Sequence, residues 1–376
     1  MRTSKILIVT VALLMIAGFA FASGQGESGA IKIGVAGAHS GDLASYGIPT
    51  VHAAELVAEE INANGGIGGR MIELVVEDDQ CKPEVATSTA AKMVGEQVVA
   101  VIGHICSGAT RAALGVYTSE NVVTISPSAT NPGLTQSGDF PVFFRTIAPD
   151  DAQGQIQAQF AAEELGLSSV AILHDGGDYG KGLADFAREA LEDEYPDVEI
   201  ALYEGVTPGA VDYSAIINRV ANSNAEAVLF GGYHPEASKL VGQMRTQGMD
   251  TVFISGDGVK DDTFINVAGE DAEGVYASGP TDTSSNPLFQ EAADAHREKY
   301  GEDPGPFFMN AYAAAQAITH AIEVAQSGDP EAIMTALRDT SVATPLGDIS
   351  FDSNGDAEGV GFAMYQVDDG TFVQVD

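Results

Sequence analysis

The stretch Val98-Val-Ala-Val-Ile-Gly-His-Ile-Cys-Ser-Gly-Ala-Thr-Arg111 decides the fold that this sequence predicts. It begins as a short apolar strand, breaks at Gly103, and runs into a predicted helix over 109–120 that is preceded by Ser107. A helix N-terminus presents free backbone N–H groups and the positive end of the helix dipole, which favour a carboxylate or phosphate. Ordinary N-capping by the hydroxyls of Ser107 and Thr110 is the alternative interpretation.

The next apolar segment, Val122-Val-Thr-Ile-Ser-Pro-Ser-Ala-Thr-Asn131, repeats this arrangement and ends in a hydroxyl-rich turn. Open α/β sheets bind ligands in the crevice beyond the carboxyl ends of their strands. Two adjacent strand ends with small polar tips therefore predict such a crevice here.

Apolar strands alternate with amphipathic helices in two blocks, one from Ile31 and one from about Asp150. Strand–helix alternation predicts doubly wound parallel sheets, and 376 residues are enough for two such units. In the second block the predicted strands are 169–174, 198–203, 225–231, 251–254 and 275–278. The other predicted helices include 51–62, 153–165, 179–194, 287–300, 306–327 and 330–340. The predicted fold class is therefore α/β, with two doubly wound lobes.

The first 22 residues are typical of a secretory signal peptide. A basic start, Met1-Arg-Thr-Ser-Lys5, precedes the apolar run 6–19 and the small-x-small pattern Ala20-Phe21-Ala22. The apolar run is short for a membrane span and no basic stop-transfer group follows it. We expect cleavage near Ala22 and export to the periplasm.

The sequence contains two cysteines, Cys81 and Cys106. Export places both in an oxidising compartment, so we predict one disulfide between them. Two buried free thiols are the alternative.

A net charge of −37 argues against binding to nucleic acid or to an anionic membrane surface. The acidic residues are spread over many predicted helices, so the charge indicates a solvated acidic coat and not a site for a cation.

Three predicted strand ends in the second block carry glycines beside an aromatic or acidic residue. They are His174-Asp-Gly-Gly-Asp-Tyr179, Gly231-Gly-Tyr-His-Pro-Glu236 and Ser255-Gly-Asp-Gly258. Glycines let a backbone approach a ligand, and Tyr buries area while it offers a hydroxyl. Each segment alone is compatible with a plain turn, but three at equivalent strand ends favour one wall of a binding site.

Catalytic and metal-binding patterns are weak in this sequence. Ser107 lies in no G-x-S-x-G elbow, and His104 is near it only in sequence. His174 and His234 have no Cys or second His at metal-ligand spacing. We expect no cofactor, no metal and no catalytic residue.

Several motifs resemble the periplasmic leucine/isoleucine/valine-binding proteins of ABC importers. The resemblance runs in order over nearly all of the chain after residue 30 and rests on the segments 61–69, 78–81, 102–107, 125–132, 174–180 and 230–236. It implies the type I periplasmic-binding-protein fold, with two lobes joined by a three-segment hinge that close over an amino acid. The implied lobes are 31–147 plus 279–349, and 148–278 plus 350–376.

The resemblance also implies a role for each matching residue. Ser107, the Ser128 backbone and Thr130 would hold the ligand α-carboxylate, and Ala129 would be a further ligand-binding residue. Tyr179 and Tyr233 would close from the second lobe, and Asp257 would face the α-ammonium. Tyr46 and Phe307 would line the side-chain pocket, and Cys81 with Cys106 would form the family's disulfide. Two positions depart from the family: Asp257 replaces a glutamate, and Ser128 replaces a small apolar residue.

The predicted function is therefore capture of a small amino acid, Leu, Ile or Val, by a monomeric receptor that serves a membrane permease of an ABC importer. The same fold binding an amide, a urea-like ligand or an aromatic acid is the alternative within this class. A hydrolase that uses Ser107 is the alternative from another class.

Overall fold

The computed structural model of the protein describes residues 29–375. The predicted signal peptide, residues 1–22, lies outside this range. Within residues 29–375, no helix combines the length and the apolar character that crossing a bilayer requires.

The first sheet has five parallel strands, ordered β2-β1-β3-β4-β5. They are β1 (Ile31–Gly37), β2 (Ile72–Asp78), β3 (Ala100–Ile102), β4 (Val123–Ser126) and β5 (Phe143–Arg145). The helices between them are α1 (Ala44–Ala63), α2 (Pro83–Gly95) and α3 (Ser107–Glu120). Every residue of β3 and β4 is buried, as expected of parallel strands covered on both faces.

The second sheet begins with five parallel strands, ordered β10-β9-β8-β6-β7. They are β6 (Ser169–His174), β7 (Glu199–Gly205), β8 (Ala227–Gly231), β9 (Val252–Ser255) and β10 (Tyr276–Pro280). The helices of this lobe are α4 (Asp150–Gln159), α5 (Gly180–Glu194), α6 (Ser214–Ser223), α7 (His234–Thr246) and α8 (Asp262–Ala268).

The chain then returns to the first lobe. Three helices follow there, α9 (Pro287–Tyr300), α10 (Phe308–Ala325) and α11 (Pro330–Asp339). Residues of α10 and α11 join the same apolar core as β1, β3 and β4. A short hairpin, β11 (Val342–Thr344) and β12 (Gly347–Ile349), ends this part.

Finally the chain adds two antiparallel strands, β13 (Phe362–Asp368) and β14 (Thr371–Gln374), beside β10 in the second sheet. The chain therefore passes between the lobes three times: after β5, after β10 and after β12. Arg145 forms a bridge with Asp356, so the first and third passages lie side by side.

The elements differ from the sequence prediction at several places, among them the strands β11 to β14, which the sequence does not predict. Helix α1 begins at Ala44, whereas the sequence predicts its start at Val51. The difference arises at Pro49, which lies inside the first two turns of the helix, where a proline is unfavourable and masks the helical pattern. Strand β5 and helix α8 are absent from the prediction. β5 has three residues and α8 has seven. Segments this short do not show the hydrophobic periodicity of a strand or a helix in the sequence.

The structure contains the predicted disulfide between Cys81 and Cys106, whose Cα atoms are 5.5 Å apart. Cys81 follows β2, and Cys106 is the N-cap residue of α3. The bond therefore ties the start of α2 to the start of α3.

We expect the double substitution Cys81→Ser/Cys106→Ser to lower the free energy of unfolding by about 3 kcal/mol, because the bond closes a loop of 25 residues. Urea denaturation of the two proteins measures the difference. Mass spectrometry of non-reduced peptides from native periplasmic protein should find the cysteines joined, and two alkylatable thiols would contradict the prediction.

Candidate functional site

A small cavity lies between the two lobes. It is lined from the first lobe by Tyr46, Ile105, Ser128 and Phe307, and from the second by Tyr179, Tyr233, Asp257 and Gly258. The structure thus brings together six of the nine predicted ligand-binding residues around one cavity.

The first lobe contributes hydroxyl groups from the ends of β3 and β4. Ser107 is the first residue of α3, and its hydroxyl accepts a hydrogen bond of 3.2 Å from the backbone N–H of Asn131. Ser128 donates to the carbonyl of Ile105 at 2.9 Å. The buried hydroxyl of Thr130 has no hydrogen-bond partner among the described residues. It is therefore free to donate to a ligand.

The N-capping interpretation of α3 does not hold for Thr110. Its hydroxyl donates to the carbonyl of Cys106 at 3.0 Å, one turn back in the helix, and Cys106 makes no side-chain cap.

Three predicted residues, Ser107, Ala129 and Thr130, are not among the residues that line the cavity. The N–H of Ala129 donates to the hydroxyl of Ser126, and its carbonyl accepts from Arg145.

Asp257 is the acidic group of the second lobe and is only 3 % exposed. One carboxyl oxygen accepts a hydrogen bond of 2.6 Å from the hydroxyl of Tyr179 and one of 3.0 Å from the amide of Gln153. Burial raises the pKa of Asp257 to about 6, although these two hydrogen bonds act to lower it. These two hydrogen bonds hold the carboxyl group in place, and no ion pair of Asp257 occurs within residues 29–375.

Glycine at 258 lets Tyr179 approach the loop that carries Asp257. A Cβ added at Gly258 would lie 2.7 Å from the Cε1 atom of Tyr179. The backbone N–H of Gly258 donates to the Tyr179 hydroxyl at 3.0 Å. A side chain at 258 would push Tyr179 away from Asp257.

Aromatic rings form the rest of the wall. The ring centroids of Tyr179 and Tyr233 are 5.0 Å apart, and those of Tyr46 and Phe307 are 5.6 Å apart. Tyr46 and Tyr233, from opposite lobes, lie 6.3 Å apart. Such tilted pairs are favourable and give a stiff apolar wall.

Direct contacts hold the lobes closed over the cavity. The Tyr46 hydroxyl donates to the carbonyl of Gly258 at 2.7 Å. At the cleft mouth, Arg111 of the first lobe donates to the carboxylate of Asp178 of the second at 2.7 Å. The amide of Asn131 donates to the carbonyl of Asp178, also at 2.7 Å. The structure therefore represents the closed arrangement.

The sequence prediction missed Ile105, Gly258 and Gln153. Ile105 and Gly258 lie within motifs that are quoted above, but the sequence does not indicate that these two residues face the cavity. Gln153 lies on α4, and nothing in its local sequence indicates that its side chain reaches Asp257 at 3.0 Å.

His104, the histidine nearest to Ser107 in the sequence, is not a general base for Ser107. His104 is fully buried and pairs with Asp79 through Nδ1 and with the hydroxyl of Tyr117 through Nε2, the latter at 3.1 Å. Both ring nitrogens are thus occupied away from Ser107, and the geometry of nucleophilic catalysis is not assembled there.

Two doubly wound lobes with a cavity between them and three chain passages from one lobe to the other define the class of bilobal solute-binding receptors. The periplasmic binding protein family model matches residues 30–371. The chain belongs to this family and has the type I periplasmic-binding-protein fold.

Characterised relatives cover nearly the whole chain. The leucine-, isoleucine-, valine-, threonine- and alanine-binding protein of Pseudomonas aeruginosa is 36 % identical over 355 residues, 94 % of each chain. The Leu/Ile/Val-binding protein of Escherichia coli is 35 % identical over 335 residues, 89 % of this chain and 90 % of its own.

Solved structures agree with this assignment. A leucine-binding protein from Thermotoga maritima has a TM-score of 0.85 at 27 % identity and covers 92 % of this chain and 98 % of its own. A branched-chain amino acid transporter substrate-binding protein from Streptococcus pneumoniae, solved with isoleucine, has a TM-score of 0.81 at 31 % identity and covers 92 % of this chain and 100 % of its own.

Proposed function

We propose that this protein captures Leu, Ile or Val between its lobes and delivers it to the permease of an ABC importer. The observation that carries the proposal is the cavity between the lobes, which has the held carboxylate of Asp257 and an aromatic wall. The buried, unpartnered hydroxyl of Thr130 lies two residues beyond Ser128, which lines the cavity from the first lobe. A zwitterionic amino acid needs these three features together.

The carboxylate of the ligand fits the first lobe. We assign it to Ser107, the backbone at Ser128 and the hydroxyl of Thr130, at the N-terminus of α3. Charge-assisted hydrogen bonds and the positive helix end stabilise an anion at this position.

The ammonium group fits the second lobe, where Asp257 has no ion-pair partner among the described residues. Tyr179 and Tyr233 close beside it, and Tyr46, Ile105 and Phe307 line the space for an aliphatic side chain.

Binding and release then require hinge motion about the three chain passages. The proposed lobes are 31–147 with 279–349 and 148–278 with 350–376. We further propose that the chain works as a periplasmic monomer after cleavage near Ala22, and that it is not an enzyme. The pairing of His104 away from Ser107 supports this last point.

A thermal-shift screen over amino acids, amides and aromatic acids tests the proposal, because a ligand that binds only the native state raises its melting temperature. We expect Leu, Ile or Val to give the largest shift and calorimetry to confirm a single site. A larger shift with an amide or an aromatic acid, or turnover of an ester or amide, would overturn it.

Thr130→Ala should leave the fold intact and weaken leucine binding by about 1.5–3 kcal/mol, the contribution of a hydrogen bond to a charged group. The matched control is Thr110→Ala, because the Thr110 hydroxyl is already engaged within its own helix. Calorimetry on both variants decides the matter. If the two dissociation constants equal that of the parent, Thr130 does not bind the ligand.

A further inference from the structure

A pair of histidines joins α1 to α9 in the first lobe, and neither residue lines the cavity. The Nδ1 atom of His52 lies 3.0 Å from the Nε2 atom of His296. His296 is fully buried and His52 is half-buried. A hydrogen bond between two imidazoles needs one ring to donate and the other to accept, so the protons of this pair are constrained.

The partner of His296 on its other side decides which ring donates. The Nδ1 atom of His296 lies 3.0 Å from the carbonyl oxygen of Glu302, and a carbonyl only accepts, so this Nδ1 carries a proton. Neutral His296 therefore accepts at Nε2, and His52 donates from Nδ1. A proton added at Nε2 of His296 would set two N–H groups against each other. The joined pair thus takes up at most one further proton, on His52, whereas two separated imidazoles take up two.

The surroundings of His52 oppose even this one proton. Its ring is stacked on that of Tyr300, with centroids 3.6 Å apart, and the Tyr300 hydroxyl donates to Glu55 at 2.7 Å. Burial, followed by the charge of His296, lowers the pKa of His52 below its ordinary value. Three further groups act on this pKa, two that raise it and one that lowers it: Glu55, Glu302 and Lys299. From α10, the residue in contact with His296 is the apolar Phe308, whose ring centroid is 4.8 Å away.

The same pair anchors the segment 301–307, which connects α9 to α10 and ends at Phe307. Glu302 of this segment accepts the hydrogen bond from His296. Gly305 packs against α1, where a Cβ added at Gly305 would lie 2.8 Å from the Cγ atom of Pro49. The position of Phe307, which lines the cavity, therefore depends on how this segment is held between α1 and α9.

Helix α1 carries the other aromatic residue that the first lobe contributes to the cavity. Tyr46 lies on the same helix as His52, and its ring centroid is 5.6 Å from that of Phe307. The hydrogen bond between His52 and His296 thus joins the two elements that hold these rings together.

We propose that the hydrogen bond between His52 and His296 is a pH-sensitive clamp that positions Tyr46 and Phe307 in the cavity wall. The two histidines are positioning residues that act through these rings. Because the joined pair holds fewer protons than two separated imidazoles, the clamp is fully formed above the ordinary histidine pKa of about 6.5 and is lost as the pH falls below it. Its effect on ligand binding rests on the proposed function.

Chemical denaturation at pH 7 and pH 5 tests the proton linkage without a ligand. The double variant His52→Asn/His296→Gln replaces both titrating rings by amides that still form hydrogen bonds. A proton excluded from the folded pair changes the unfolding constant by up to roughly thirtyfold at pH 5. We expect the rise in the unfolding constant between pH 7 and pH 5 to be at least tenfold smaller in the double variant than in the parent. The control His320→Gln, a half-buried histidine on α10, should keep the rise of the parent.

Leucine titration by calorimetry tests the positioning role. His52→Leu removes the donor and leaves the buried Nε2 of His296 without a partner, so at pH 7 the leucine Kd should rise about fivefold. His52→Asn keeps a donor at the place of Nδ1 and should restore the Kd to within twofold of the parent. Between pH 7 and pH 5 the Kd should rise at least threefold less in the double variant than in the parent, because any contribution of Asp257 is common to both.

The outcomes separate this inference from the proposed function. Equal rises of the unfolding constant in the parent and the double variant would overturn the proton linkage. A leucine Kd for His52→Leu within twofold of the parent, or an equal weakening by His52→Leu and His52→Asn, would overturn the positioning role while the proposed function stands. If the parent binds no amino acid, the proposed function fails, and denaturation still decides whether the pair is a pH-sensitive clamp.

Discussion

Asp257→Asn is expected to weaken leucine binding by at least about 2 kcal/mol, roughly thirtyfold in Kd. Asparagine keeps the shape and can still accept the hydrogen bonds from Tyr179 and Gln153. What it removes is the charge opposite the ligand ammonium, which is then buried without a counter-charge. Calorimetry with leucine gives the difference in affinity.

The matched control is Asp250→Asn, which removes an exposed acid from the same lobe. It should leave leucine affinity unchanged. If Asp257→Asn binds leucine as tightly as the parent, Asp257 does not face a cation, and the amide alternative becomes the better hypothesis.

The same carboxyl group predicts a pH dependence of binding. Because burial raises the pKa of Asp257 to about 6, the group gains a proton as pH falls through this value and its attraction for an ammonium is lost. The parent should bind leucine more weakly at pH 5 than at pH 7. In Asp257→Asn this part of the pH dependence should disappear.

Arg145→Met is expected to lower the free energy of unfolding by about 3–5 kcal/mol, the cost of breaking a buried ion pair by removing one partner. Arg145 is fully buried and donates to the carboxylate of Asp356 at 2.5 Å. Its Nη1 atom donates to the carbonyls of Ala129 and Asn131, and its Nη2 atom donates to the hydroxyl of Thr135. Methionine fills much of the space but leaves these acceptors without a donor.

Chemical denaturation measures this loss, with Arg297→Met as the control. Arg297 also pairs with two carboxylates, Asp294 and Asp303, but all three side chains are largely exposed. An exposed pair contributes about 0–1 kcal/mol, so the control should change little. Equal losses in the two variants would contradict a stabilising role for Arg145 at the hinge.

The elements that have a clear hydrophobic pattern, or a proline or glycine at their ends, were predictable from the sequence. The strand at Ser169–His174 and the helix at Pro287–Tyr300 have the bounds that the sequence predicts. The first is an apolar run before a glycine-rich turn, and the second begins at a proline and ends before a glycine. These signals depend only on neighbouring residues, so each element can be predicted from its own segment of sequence.

The cavity at the strand ends was also predictable, because strand ends with small polar residues meet at one edge of a parallel sheet. Ser128, Tyr179, Tyr233 and Asp257 were recognised in this way or through the resemblance, and they line the cavity.

What the tertiary structure alone decided is which polar groups lack a partner. Asp150 and Asp151 are identical residues side by side in the sequence, yet the first is buried without a hydrogen bond and the second contacts Gln136 at the surface. The Tyr46 hydroxyl meets the carbonyl of Gly258 across 212 positions of sequence. Burial and pairing of this kind depend on the packing of one lobe against the other, and no local pattern of residues encodes that packing.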